Sequence, residues 1–124
     1  MNIIYIGLGG FLGAIARYLV TKHLNNFIIS FPLGTFFVNV TGSLILGFFL
    51  YSLNFGKIVS PSFRNFFAIG FIGAFTTMST FAYESFRLFE GREFLYFGLN
   101  LFLTTFLSLA AIYMGKELAL LIYK

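Results

Sequence analysis

Gly70-Phe71-Ile72-Gly73-Ala74-Phe75-Thr76-Thr77-Met78-Ser79-Thr80-Phe81 is the stretch that decides the fold. It sits in a run with no charge from Asn65 to Tyr83, long enough to be embedded in a membrane. Yet it packs two glycines and four hydroxyl side chains together, a composition with poor helix propensity. Backbone groups cannot be left unpaired against lipid. A span that unwinds here must therefore face protein, water or an ion, which makes this segment the first candidate for a functional site.

Outward from it, the chain has 124 residues, of which 59% are hydrophobic and 10% charged. Its mean hydropathy is +0.92. A water-soluble domain carries charge on about a quarter of its residues, and no charged helical face repeats along this sequence. Four apolar runs, Ile3–Val20, Phe31–Phe55, Asn65–Tyr83 and Phe94–Gly115, each approach the ~20 residues that cross ~30 Å of hydrocarbon. They predict an all-α membrane protein of four transmembrane helices, the third broken at its centre, forming one domain over residues 1–124. That leaves no length for a soluble catalytic domain, and no enzyme activity is expected. The absence of cysteine excludes disulfides, thiolate catalysis and thiolate metal sites. Without a basic leading segment or a clear small-residue cleavage site, the first run reads as a retained span. A net charge of +4, dispersed along the chain, is too small for nucleic-acid binding and suits loop ends near lipid headgroups.

Loop charges normally set membrane orientation, with Lys and Arg kept on the cytoplasmic side. Lys57, Arg64, Lys116 and Lys124 fall on one side of a four-span chain, and Arg17, Lys22, Arg87 and Arg92 on the other. With no bias between the two sides, such a chain can insert both ways, and one this small encloses little interior alone. Both points favour a homodimer of oppositely oriented copies about a two-fold axis in the membrane plane. The alternative is a single orientation fixed by one dominant boundary charge.

In the first span, Gly9 and Gly13 form a GxxxG pair that lets helices approach closely. Arg17, near the end of that span, either snorkels to the interface or faces a water-filled vestibule. His23 stands alone, with no partner at ligand spacing. Ser60-Pro61 reads as an N-cap and first helical residue for the third element. In the second span Thr35, Asn39 and Ser43 fall at i, i+4 and i+8, on one helix face. The Asn39 amide must find partners, either on a neighbouring helix or in an anion that accepts from its NH₂. Glu84 ends the third run close to Arg87, a position that defaults to the interface. Tyr96, Asn100, Thr104 and Ser108 form a second polar stripe on the fourth span. Twenty phenylalanines accompany no tryptophan. A phenyl ring has a positive edge that can face a small anion, and Phe81 is best placed to use it.

Hydroxyls, amides and ring edges coordinate an ion without holding it too tightly to leave. Proton-coupled exporters usually require a carboxylate deep in a span, and the first span has none. These residues reach the conclusion of a small pore-forming membrane protein for an ion. Donor-rich side chains favour an anion, and carbonyls freed at the break favour a cation.

The 70–81 stretch also resembles the third-helix motif of the bacterial fluoride channels, the Fluc or CrcB family. Gly34-Thr35-Phe36-Phe37-Val38-Asn39-Val40-Thr41-Gly42 is similar to that family's second-helix motif, and Gly9-Gly10-Phe11-Leu12-Gly13-Ala14-Ile15-Ala16-Arg17-Tyr18 to its first. The resemblance spans the whole chain in length and span count. It implies an antiparallel dimer in a bacterial plasma membrane, with two pathways that let cytoplasmic fluoride leave down its gradient. It also implies a central sodium ion, structural and not transported, held by the backbone carbonyls of Gly73 and Thr76 from both copies. Asn39, Met78, Ser79, Thr80, Phe81, Thr104 and Ser108 would line the fluoride pathway, and Arg17 a positive vestibule. Met78 stands where the family has the first of two stacked phenylalanines, and Asn100 where relatives can carry an aromatic hydroxyl. Glu84 matches an acid of the family motif. The competing readings are a small multidrug exporter and an accessory subunit of a larger membrane complex.

Overall fold

A computed structural model describes residues 2–28 and 30–123; Lys124, counted among the loop charges above, lies outside the described residues. Helix α1 (Asn2–Leu24) and α2 (Leu33–Asn54) are the first two spans. The third begins as α3 (Pro61–Arg64), passes through a π-helical segment (Asn65–Ile72) and closes its first half as α4 (Gly73–Phe75). Its second half is α5 (Ser79–Glu90), and α6 (Phe94–Tyr123) is the fourth span. The chain is a multi-pass membrane protein with four candidate spans, each long and apolar enough to cross a bilayer.

The third and fourth spans outrun their apolar cores, because charged residues at the ends do not interrupt backbone hydrogen bonding. Thus α5 continues past Tyr83 to Glu90, and α6 past Gly115 to Tyr123. Ser60 caps as the sequence predicts, its hydroxyl accepting from the Phe63 N–H at 3.1 Å with Pro61 in the first helical turn. The π-helical stretch is not foreseen from the sequence. π-Helix is rare and concentrates at functional sites, and this one leads directly into the break. Phe63, Phe67, Phe71 and Phe75 stack along the first half at 5.9–6.0 Å with near-parallel rings, each four residues from the next.

Two helix pairs organise the molecule. Helix α1 lies along the first half of the third span, residues 61–75, and α2 along α6. Glycine makes both contacts possible. A Cβ on Gly9 or Gly13 would run into the backbone of Phe66 or Phe71, and a Cβ on Gly70 would sit 2.6 Å from the Ile6 carbonyl oxygen. The GxxxG pair thus works within the chain, as a packing surface for the third span. In the other pair, Gly47 meets the backbone of Ile112, and Gly115 meets Leu44 and Phe48. Among the described residues, α5 approaches α6 and α2 but not α1. The second half of the third span therefore leaves α1 for α6, while α2 touches both halves. Few large side chains are buried (Val38, Phe49, Ile72, Phe75 and Phe81), while Phe11, Phe102, Phe106 and Leu121 face outward, as lipid-facing surface does.

Candidate functional site

The break is three residues long. Helix stops at Phe75, Thr76 is extended (φ −89°, ψ 158°), and helix resumes at Ser79. In an unbroken α-helix the carbonyls of residues 73–76 would accept from the N–H groups of residues 77–80. None of these bonds forms among the described residues. Thr77 N–H instead donates to Asn39 Oδ1 at 2.8 Å, and Asn39 Nδ2 donates back to the Thr77 carbonyl at 3.0 Å. Thr80 N–H donates to Thr77 Oγ1 at 3.3 Å, the geometry of a helix cap. The Ala74 carbonyl accepts from Arg17 Nε at 3.0 Å. Thr76 turns both its N–H and its hydroxyl onto the Ile72 carbonyl, at 3.1 and 3.0 Å. The carbonyls of Gly73 and Thr76 are left without a hydrogen-bond partner among the described residues, and Gly73 is exposed on the protomer surface.

The polar faces of α2 and α6 meet the second half of the span. Along α2, Asn39 holds Thr77, and one turn earlier Thr35, only 1% exposed, lies beside Glu84. Among the described residues, neither Thr35 Oγ1 nor Glu84 Oε1 is in hydrogen-bond geometry with a partner, although both atoms are buried. From α6, the fully buried Asn100 donates through Nδ2 to Ser85 Oγ at 2.8 Å and accepts from Thr104 Oγ1 at 3.2 Å. Ser108 follows one turn on, its hydroxyl buried and unpartnered. Phe81 is buried, whereas Met78 is 73% exposed and Ser79 is exposed beside it. Thr80, Tyr83, Glu84 and Arg87 line an open pocket of about 650 Å³, whose other wall includes Asn25 and Phe31 from between α1 and α2.

Asn39, Thr80 and Phe81 are thus gathered around the break and the start of α5. Met78 and Ser79 are exposed on the surface of the chain, and Thr104 is engaged in the Asn100 network. Arg17 sits half-buried on the break itself. Sequence reasoning assigns no role to Ser85 or Thr77. Ser85 falls one turn after Phe81, on the same buried face, so the i, i+4 spacing could have found it. Thr77 acts mainly through its backbone, which residue identity does not reveal.

Four spans, a third span interrupted at the middle, and polar side chains turned inward from both neighbouring helices define a small ion-handling membrane protein. The chain matches the family model "CrcB-like protein, Camphor Resistance (CrcB)" over residues 4–116 and belongs to that family. It is similar to "Fluoride-specific ion channel FluC" of Methanococcus maripaludis, at 47% identity covering 93% of each chain. It is also similar to "Fluoride-specific ion channel FluC 1" of Methanosarcina acetivorans, at 43% identity over 96% of this chain and 91% of the relative. A "Fluoride-specific ion channel FluC" of Campylobacter jejuni is 44% identical over 92% of this chain and 93% of its own length.

Proposed function

We propose that the protein is a fluoride-selective channel that lets cytoplasmic fluoride leave down its electrochemical gradient. The observation that carries the reading is the broken third span with the polar stripes of α2 and α6 turned onto its second half, in a chain whose relatives bear the name fluoride-specific channel. Permeation is passive and needs donors that replace a hydration shell at neutral charge. Asn39, Ser79, Thr80 and Ser108 supply them, Phe81 a positive ring edge, Met78 an apolar wall, and Arg17 a positive charge held against the Ala74 carbonyl beside the break; Thr104, whose O–H is given to Asn100, lines the path as an acceptor.

The functional unit in this reading is a dimer of antiparallel copies. Met78, Ser79 and Gly73, exposed on one protomer, then meet the second copy. A structural sodium ion fits the same arrangement. The Gly73 and Thr76 carbonyls are hard neutral oxygens free of helix bonding. Two from each copy would hold the cation, which when bound supplies a positive charge that ties the copies together.

Purified protein in liposomes tests the channel. With a potassium shunt and an imposed gradient, an electrode should register fluoride efflux and no chloride efflux, and replacing sodium on both sides should abolish it. Absence of fluoride efflux removes the channel reading, and flux indifferent to sodium removes the cation. Met78→Phe is expected to conduct like the parent, since Met and Phe have similar bulk and Met adapts to its surroundings. A folded but silent variant would mean that the wall is shaped around the thioether.

A further inference from the structure

We infer that Asn39 is a positioning residue for the cation site: its side chain withdraws the Thr77 N–H from the third helix and so leaves the Gly73 carbonyl free to bind. The inference rests on the sodium reading above and adds to it a cause. In a continuous helix the Thr77 N–H belongs to the Gly73 carbonyl, four residues back. Here it is 2.8 Å from Asn39 Oδ1, while the Asn39 amide closes the clasp by donating to the Thr77 carbonyl at 3.0 Å. Both edges of one peptide residue are thereby paired to a side chain from another span, satisfying the groups that a break in a membrane would otherwise strand. Thr77 Oγ1 does the same for the next ligand by accepting the Thr80 N–H, which a helix would give to Thr76.

One Nδ2 proton of Asn39 is not used by Thr77. A single amide thus touches both jobs: its oxygen and one N–H fix the cation ligands, and its second N–H is left for the anion path. An apolar side chain at 39 strands the Thr77 N–H, whose nearest remedy is to return to the Gly73 carbonyl and rebuild the helix. The cation would then lose a ligand in each copy.

The test separates this role from anion contact. The melting temperature of purified dimer is followed against sodium concentration, with fluoride absent. Asn39→Leu should need at least about tenfold more sodium for the same stabilisation, as loss of an outer-shell partner does at metal sites. Thr77→Pro removes the N–H in question, and with it the Thr77 hydroxyl that holds the Thr80 N–H, so it serves as its own reference. Added to Thr77→Pro, Asn39→Leu should shift the sodium midpoint little further, because the N–H it acts through is already gone. An Asn39→Leu protein with the parent sodium midpoint overturns the inference, as does a double variant shifted from Thr77→Pro as far as Asn39→Leu is shifted from the parent. A parent protein that ignores sodium would overturn the underlying cation reading instead, and is recognised in the same titration.

Discussion

Gly13→Ala should destabilise the protein by about 3 kcal/mol or more, although it adds one methyl group and improves helix propensity. The methyl would occupy space already held by the backbone of Phe71. Backbone cannot move aside as a flexible side chain can, so α1 must part from residues 61–75 along their shared length. Gly7→Ala is the matched control. Nothing lies within 4 Å of its added Cβ, and the same substitution there should be neutral or stabilising by up to about 1 kcal/mol. Thermal unfolding in detergent, compared between the two variants, checks the contrast. Equal stability would mean that the α1 contact is not close-packed.

Asn100→Ala should loosen α5 from α6 and lower fluoride flux with it. The substitution removes the bonds to Ser85 and Thr104 and leaves both hydroxyls buried without a partner. Each orphaned group costs about 1–3 kcal/mol in a soluble core, and interhelical bonds in membranes are worth roughly 0.6–1.7 kcal/mol. A loss near 2 kcal/mol is therefore expected. Ser85→Ala alone should cost less, because Asn100 keeps Thr104. The double variant should cost less than the two singles together, since its second change removes one of the groups stranded by the first. Strict additivity would show that Ser85 and Asn100 act separately.

How far the sequence alone reaches depends on what kind of bond is at stake. The four spans, the place of the break and the Ser60 cap follow from apolar run length, glycine and hydroxyl content, and a proline in a first turn. These are local properties. The polar stripes at 35, 39, 43 and at 100, 104, 108 are legible as faces, but their partners are not. On sequence alone Asn39 can donate to a neighbouring helix, the commoner case, or to an ion, and the structure spends one of its two N–H donors and its carbonyl oxygen on the Thr77 backbone. Arg17 is legible as a charge near a boundary; its bond to the Ala74 carbonyl, fifty-seven residues away, is not. The π-helical stretch over residues 65–72 carries no signal in apolar spacing or residue type. The family resemblance supplied the identity of the ion, which neither stripe could specify.

The third span also has a mechanical reading. Its first half is fixed to α1 and its second half lies against α6, while α2 touches both halves, so the break falls where the span passes from one neighbour to another. Arg17, from the first pair, grips Ala74 just before the joint; Asn39, from the second, grips Thr77 within it. Between the two rods lie only Thr76, Thr77 and Met78, which carry no helix of their own. The joint is also where both ion sites are proposed to lie. Stiffness at these three residues is set by one grip from each side, Arg17 on Ala74 and Asn39 on Thr77.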